Sequence, residues 1–306
     1  MKLKLLYLVV LLNISFGAKA QWLEVGGTNT SKFNGNINAS TIDFKNNLYV
    51  GGSFTNSKNK SFIAKWDGKS WSELGATSLN FLPGIIYSIV ADTFGNIYVG
   101  GLHSYGYGYV YKWDGTDWIK LNDSYNTFPN SGVYSLVVDN KGNLFAGGSF
   151  SNNKNHCYVA KWDGFNWSEL GSKSDSIIHS TIFTLNIDSH GYIYANSSKI
   201  FNSNYINFVA KWDGNNWSEL IGANNLVLNY FVDYIYIDKY DSIYTCGNFT
   251  NSRGNTYIAK WNGNIWRELG SASDSILGGG SNHGTRLATM IVDKKIVFSQ
   301  VGISKI

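Results

Sequence analysis

The feature that most constrains this chain is a tryptophan motif that recurs about every fifty residues. The string Lys-Trp-Asp-Gly, or Lys-Trp-Asn-Gly in the last copy, is followed by a second tryptophan five residues after the first. Successive pairs lie 47, 49, 50 and 49 residues apart: Trp66/Trp71, Trp113/Trp118, Trp162/Trp167, Trp212/Trp217 and Trp261/Trp266. A fixed period of this length predicts a repeat protein, in which each unit buries its apolar surface against its neighbours.

The two ends of the chain read as two parts of one further repeat. Trp22 lies 49 residues before Trp71, and residues 22–26 match residues 71–75, the last strand of a full unit. Residues 303–306 resemble the third strand of a full unit. We therefore expect residues 286–306 and 21–26 to form a sixth unit together, with the N-terminal segment as its fourth strand.

A second landmark is an aspartate between two apolar strands, and the chain has six of them: Asp43, Asp92, Asp139, Asp188, Asp238 and Asp293. With the Asp-Gly hairpin signal before the second tryptophan, each unit reads as four short strands, and helical periodicity is absent. Radially repeated four-stranded sheets make a β-propeller. The sequence predicts an all-β fold: a single six-bladed β-propeller of four-stranded antiparallel blades over residues 21–306, its last blade completed by the N-terminal strand.

The order of these strands resembles the kelch repeat, found in the galactose oxidase and kelch-type propeller superfamily. The resemblance covers residues 21–306 and includes the double glycine of the second strand at residues 51–52, 100–101 and 147–148. The other units depart from the double glycine but keep the tryptophan and aspartate landmarks. The resemblance implies an architecture and leaves the chemistry open, because fold does not fix function.

Residues 1–20 have the pattern of a signal peptide. Lys2 and Lys4 precede a short apolar run, and Ala18-Lys19-Ala20 forms a small-residue cleavage site. The apolar run is shorter than the roughly twenty residues that span a bilayer, which argues against the alternative of an uncleaved membrane anchor. We predict a secreted or periplasmic protein with no membrane span in the mature chain.

Charge and cysteine content restrict the partners. The whole chain has 25 basic and 21 acidic residues, but three of the lysines lie in the leader, so the remainder is nearly neutral. We therefore expect no nucleic-acid partner. Cys157 and Cys246 belong to non-adjacent units, so we predict two packed thiols and no disulfide. We expect a monomer.

Residues that occur in every unit are explained most simply by architecture. We expect the tryptophan pairs to pack between blades, the alternative being a ring of sugar-stacking platforms. The lysine before the first tryptophan and the glutamates after the second are interpreted as solvated edge charges. The repeated aspartates are interpreted as turn caps, because a loop such as residues 139–142 offers one carboxylate where a calcium loop needs several ligands.

Function should lie where the units differ. In such a blade the loops after strands two and four share one face, and these loops are long and irregular. The ligand-binding candidates on this face are His103, Tyr105, Tyr107, Phe81, Tyr125, Phe128, His179, Arg253, His283 and Arg286. Four histidines are expected there (His103, His156, His179 and His283), but they come from separate units without ligand spacing, so we predict no metal, no cofactor and no catalytic residue.

We predict a non-catalytic binding or scaffold propeller whose partner is an extracellular or envelope protein or a glycan. The alternative is an extracellular carbohydrate-active enzyme, a lyase or hydrolase, with its site at the mouth of the central channel. An acid pair about 10 Å apart facing the channel would favour the enzyme. A third alternative is a structural module that works beside a partner on the same secretion route. A galactose-oxidase-like copper site and a sialidase-like arginine triad are not matched by the cysteine and arginine positions.

Overall fold

The structure is a computed structural model, and it describes residues 33–75, 82–121, 128, 131–171, 177–201, 204–221, 228–269, 289–292 and 296–299. At residues 199–201, 204–205, 289–292 and 296–299 it describes the backbone alone. All the described residues belong to one unit, Lys32–Ile306. The described part of the chain contains strands and turns and no helix.

Five consecutive four-stranded antiparallel sheets, here called blades 1 to 5, follow one another along the chain. Blades 1 and 2 consist of β1 (Ile37–Ile42), β2 (Leu48–Gly52), β3 (Ile63–Trp66) and β4 (Trp71–Leu74), then β5 (Gly84–Ala91), β6 (Ile97–His103), β7 (Gly108–Trp113) and β8 (Trp118–Lys120). Blade 3 consists of β9 (Val133–Val138), β10 (Leu144–Gly148), β11 (Ala160–Trp162) and β12 (Trp167–Glu169).

Blades 4 and 5 repeat the same meander order. Their strands are β13 (Leu185–Ile187), β14 (Ile193–Phe201), β15 (Asn204–Trp212) and β16 (Trp217–Leu220), then β17 (Val232–Ile237), β18 (Ile243–Gly247), β19 (Ala259–Trp261) and β20 (Trp266–Glu268). A two-stranded sheet follows, formed by β21 (Thr289–Val292) and β22 (Ile296–Ser299).

The turn between the first two strands of each blade is built by its aspartate, as predicted. In blade 1, Asp43 Oδ1 accepts the amides of Lys45 and Asn47 at 2.8 and 2.9 Å, and Oδ2 accepts Asn47 Nδ2 and the Tyr49 hydroxyl at 2.7 and 3.0 Å. Burial alone would raise the pKa of Asp43, but these hydrogen bonds outweigh it and lower the pKa. The carboxylate is thus committed to its own turn, which confirms the prediction of a turn cap.

The hydrophobic core is divided into layers that lie between neighbouring blades. Val137 and Phe145 of blade 3, for example, pack with Ile182, Leu185 and Ile193 of blade 4. Equivalent layers join blades 1 and 2, blades 2 and 3, and blades 4 and 5. The first strands of successive blades contact one another in chain order, from β1 to β21.

This arrangement confirms the all-β propeller predicted from the repeat. The structure describes five complete blades, and β21 and β22 stand where the first two strands of a sixth would follow. The strands expected from residues 21–26 and 303–306 and the turn at Asp293 lie outside the described residues, so the sixth blade remains a prediction.

The outer rim of each blade junction is joined by an indole hydrogen bond. The second tryptophan of a blade donates Nε1–H to a leucine carbonyl at the end of the preceding blade. The bonds are Trp118 to Leu74 at 3.4 Å, Trp167 to Leu121 at 2.8 Å, Trp217 to Leu170 at 3.0 Å and Trp266 to Leu220 at 2.8 Å. Tryptophans of both positions also pack on the core layers between blades, as predicted.

The inner rim of the junctions is joined by hydroxyl groups. Ser88 Oγ accepts the Leu136 amide of the next blade at 2.9 Å, and Ser135 Oγ accepts the Leu185 amide at 2.9 Å. Close approach also requires a small residue in the second strand. A Cβ on Gly100 would lie 2.7 Å from Val133 Cγ1 of the next blade, which explains the first glycine of the double-glycine motif.

The repeated lysines and glutamates are half-buried and make contacts within their blades, which the interpretation as solvated edge charges did not include. Each lysine lies opposite an aromatic residue of the second strand, as Lys260 does at 4.9 Å above the Tyr244 ring and Lys65 at 5.8 Å above Tyr49. Glu73 and its counterparts in blades 3 and 5 accept an asparagine Nδ2–H from the loop after the second strand, with Asn56 at 3.0 Å. These charges therefore belong to the framework.

Both cysteines are buried free thiols, as predicted. Burial raises the pKa of Cys157, and burial together with the nearby Asp233 raises the pKa of Cys246 to about 12. Both thiols are therefore inert packing groups at neutral pH. No helical segment in the described ranges has the length and hydropathy needed to cross a membrane.

Closure of the ring can be tested with a disulfide. Transferring the Ala64↔Glu73 pairing of blade 1 to the chain ends places Ser304 opposite Glu24. In residues 21–306, Glu24→Cys with Ser304→Cys should crosslink under mild oxidation and raise the free energy of unfolding by about 2–4 kcal/mol. Gel mobility without reductant and thermal unfolding measure both effects.

The control is Leu23→Cys with Ser304→Cys, a pair shifted by one residue, whose side chains point to opposite faces of the sheet. Equal crosslinking of both pairs, or of neither, would contradict the predicted sixth blade.

Candidate functional site

The two faces of the propeller differ in regularity. The loops between first and second strands and between third and fourth strands are short, and they define the short-turn face. The loops after the second and fourth strands define the long-loop face. In the short-turn face the aspartate caps and the positive-φ residues, such as Gly68 and Gly115, recur at the same positions from blade to blade. Differences among the blades therefore concentrate on the long-loop face, where a site was predicted.

Blades 2 and 4 extend their central hairpins beyond those of the other blades. The loop of blade 1 folds around Asn56, whose Oδ1 accepts the amides of Lys58 and Lys60 at 3.0 and 3.1 Å. In blade 2 the ladder continues instead to Leu102↔Gly108, and in blade 4 to Phe201↔Asn204. Two hairpins thus project from the long-loop face, one on each side of blade 3.

The hairpin of blade 2 ends in an ordered aromatic stack. The His103 ring stacks on Tyr105 at 4.9 Å and on Tyr107 at 4.3 Å between ring centroids. The turn is fixed by the His103 amide on the Tyr107 carbonyl at 2.8 Å and by the Tyr105 amide on His103 Nδ1 at 3.1 Å. Tyr105 is 82% exposed. The structure therefore brings three predicted residues together and presents one flat ring to solvent.

The accepting role of His103 Nδ1 indicates a neutral imidazole. Burial lowers the pKa of His103, and the positive charge of Lys120 lowers it further. A cationic ring would lose the hydrogen bond from the Tyr105 amide, because both nitrogens then carry protons. The stack is therefore expected to be uncharged at neutral pH.

A second aromatic group lies at the start of the innermost strands, and sequence reasoning missed it. One residue in each blade stands five positions before the turn aspartate, namely Asn38, Tyr87, Tyr134, Phe183 and Asp233, here called the channel-mouth row. In blades 1, 2, 3 and 5 this residue is the extra one in a β-bulge, at the end of the strand nearest the long-loop face. A bulge re-aims its side chain, so this position is released from the regular alternation of the strand.

Members of the channel-mouth row contact one another from blade to blade. Tyr87 packs against Tyr134 at 5.2 Å between centroids with an interplanar angle of 66°, and Tyr134 stacks on Phe183 at 5.6 Å with 22°. Asn38 Nδ2 donates to the Ile86 carbonyl of the next blade at 3.0 Å. Phe183 is 50% exposed, and its amide is held by Asn196 Oδ1 at 2.8 Å. The aromatic part of the row therefore runs across blades 2 to 4. Blades 2 and 4 carry the extended hairpins, and blade 3 lies between them.

The remaining predicted residues are dispersed. His179 packs edge-on against His156 of the preceding blade at 4.7 Å. Arg253 lies in the blade 5 loop, where its amide donates to Asn251 Oδ1 at 3.0 Å. Among the described residues, no group of three or more His, Cys, Asp or Glu side chains is placed to hold a metal ion.

Phe128 was wrongly predicted as a ligand contact. It is 1% exposed and packs on Phe150 at 4.5 Å and on Trp167 at 5.3 Å. Phe33 makes the same contacts with Phe54 and Trp71 in blade 1, so this position belongs to the hydrophobic packing of the repeat. Phe81, Tyr125, His283 and Arg286 lie outside the described residues.

Comparison with known proteins gives structural likeness alone. No family model matches the chain, and no curated protein is similar to it. Among solved structures, a catalytically inactive virginiamycin B lyase from Staphylococcus aureus is 10% identical, with a TM-score of 0.47 over 89% of this chain and 94% of that chain.

Two further structures show similar values. An ulvan lyase described as a new polysaccharide lyase family is 13% identical, with a TM-score of 0.46 over 74% of this chain and 69% of that chain. A lectin from Aleuria aurantia, in complex with Fucα1-6GlcNAc, is 15% identical, with a TM-score of 0.45 over 77% of this chain and 78% of that chain. Likeness at this level does not assign what this chain binds.

The hairpin stack predicts a measurable titration. His103 should titrate below its ordinary pKa of 6.5, and Lys120→Met should raise its pKa while leaving it below 6.5, because burial remains. Since the unfolded chain binds this proton more readily, His103 makes stability fall as the pH drops below about 6.5. NMR titration of the histidines in the unchanged protein and in Lys120→Met measures the shift in pKa. An unchanged His103 pKa in Lys120→Met would contradict the proximity of the Lys120 charge to His103.

Proposed function

We propose that this chain is a non-catalytic, exported binding propeller of the kelch-like type, which recognises an extracellular or envelope protein or a glycan through its long-loop face. The observation that carries the proposal is the fixed aromatic stack His103, Tyr105 and Tyr107 on a projecting hairpin. Rigid tyrosines give contact area and a polar hydroxyl at low cost in conformational entropy. The leader at residues 1–20 supports export.

The mouth of the channel supports binding over hydrolysis. In the five described blades the channel-mouth row supplies a single carboxylate, Asp233, where paired acids would be expected of a glycoside hydrolase. The other members of the row are Asn38 and three aromatic residues. Contacts made by aromatic and amide groups suit recognition of a ligand without chemical change.

The test is binding of residues 21–306 to a glycan array and to an array of extracellular proteins. Tyr105→Ala should weaken binding about tenfold or more, because truncating an aromatic anchor removes a central contact. The matched control is Phe165→Ala, a change on the short-turn face at a ring that is 86% exposed. Mass spectrometry of the recovered glycan should show it intact.

Binding that survives Tyr105→Ala and Tyr107→Ala, or that is lost in Phe165→Ala, would contradict recognition through the long-loop face. Cleavage of the bound glycan would instead support the alternative of a carbohydrate-active enzyme.

A further inference from the structure

The channel-mouth row has a composition that selects among ligand classes. We propose that it is the binding site of a neutral glycan chain, whose sugar rings lie on the aromatic surface of Tyr87, Tyr134 and Phe183. The proposal rests on the binding function above and names the ligand and the place where it binds. These three side chains contact one another across the blade junctions, but the hydrogen bonds that recur from junction to junction come from other groups and do not require aromatic residues here.

The aromatic surface is fixed before any ligand binds. Tyr134 contacts rings on both sides, Tyr87 at 5.2 Å and Phe183 at 5.6 Å. The Tyr134 hydroxyl also accepts a hydrogen bond from Ser149 Oγ at 3.4 Å. Side chains that are already immobilised lose little entropy on binding, which increases affinity for a given contact area. The half-exposed Phe183 ring offers apolar surface that a ligand can cover.

The polar groups at the two ends of the row match hydroxyl groups. A pyranose ring has an apolar C–H face and a rim of hydroxyls, so it combines stacking with hydrogen bonding. Asn38 lies exposed at one end of the row, its Nδ2 oriented by the Ile86 carbonyl, and Asp233 at the other end carries a half-buried carboxylate whose Oδ2 is enclosed by protein. A site whose polar groups hydrogen-bond a ligand hydroxyl discriminates strongly against an analogue that lacks that hydroxyl.

The charge and the polar groups of the channel-mouth row disfavour anionic ligands and purely apolar ligands of the same shape. The row contains no Lys or Arg, and the Asp233 carboxylate repels anions, so a uronic-acid or sulfated polymer is disfavoured. Single-stranded nucleic acid also stacks on aromatic rings, but it needs a positively charged groove. A purely apolar ligand would displace water from the exposed Asn38 side chain without replacing its hydrogen bonds, which is costly.

The extent of the surface favours a chain over a single sugar. The contacts run across blades 2, 3 and 4, and the hairpins that end at Leu102↔Gly108 and Phe201↔Asn204 project on both sides of blade 3. A chain on the row can extend towards the exposed Tyr105 ring at the tip of the blade 2 hairpin. Several weak sugar contacts in series then add to a useful affinity.

The experiment is calorimetric titration of residues 21–306 with hexasaccharides of neutral hexoses (β-glucan, α-glucan, mannan and galactan) and with a hexagalacturonate as the anionic counterpart. We expect saturable binding of a neutral hexasaccharide and at least about tenfold weaker binding of the anionic one. Phe183→Ala and Tyr134→Ala should weaken the neutral ligand about tenfold or more, whereas Phe183→Trp keeps the stacking surface and retains binding. Phe165→Ala should bind as the unchanged protein does.

Thermal unfolding of each variant separates lost binding from lost folding, and the half-exposed Phe183 is the site least coupled to the core. Neutral glycans that fail to bind the folded protein, or that bind Phe183→Ala and Phe183→Trp as well as the parent, would overturn this proposal. Glycan binding that is lost in Tyr105→Ala but kept in Phe183→Ala and Tyr134→Ala would overturn this proposal and leave the proposed function intact. Binding of a protein partner that depends on Tyr105 would do the same.

Discussion

The hydrogen bond from a tryptophan indole to the leucine carbonyl of the preceding blade is the interaction on which the rest of this structure depends. The outer strand of each blade is an edge, and an edge strand presents unpaired backbone groups. Trp167, for example, satisfies the Leu121 carbonyl at 2.8 Å while its ring fills the space between the blades. At each described junction the tryptophan thus fills the space between two blades and gives the leucine carbonyl a hydrogen-bond donor.

The framework leaves the inner rim of the long-loop face free to vary. Turn aspartates, lysine–aromatic pairs and indole bonds recur from blade to blade, so none of them distinguishes one blade from the next. The channel-mouth row occupies a position that the bulge releases from strand pairing. Its residues are Asn38, Tyr87, Tyr134, Phe183 and Asp233, which differ in charge and shape. A rigid scaffold with variable inner residues is the physical basis of the proposed recognition surface.

Much of the fold followed from the sequence because its landmarks are local. The tryptophan spacing fixes the repeat length, and the carboxylate of Asp43 caps a turn within four residues of itself. The roles of Lys65 and Glu73 did not follow, because each depends on a partner brought close by strand register. Sequence alone gives no register across a blade.

The candidate site was predicted only in part. His103, Tyr105 and Tyr107 lie within five residues of one another, so their common loop was visible in the sequence. Phe128 was misassigned because it precedes its turn aspartate by eleven residues, whereas Phe33 precedes Asp43 by ten, and the equivalence was hidden by that offset. The row of Tyr87, Tyr134 and Phe183 was missed because a bulge changes which way a side chain points without any signal in periodicity.

The most direct test of this account is a crystal structure of residues 21–306 soaked with the neutral hexasaccharide that binds best. The account predicts sugar rings stacked on Tyr134 and Phe183 at the mouth of the channel, with hydroxyls within hydrogen-bonding distance of Asn38 or Asp233. Sugar density confined to the short-turn face, or to the outer rim beside the tryptophans, would contradict the division between a repeated framework and a variable binding mouth.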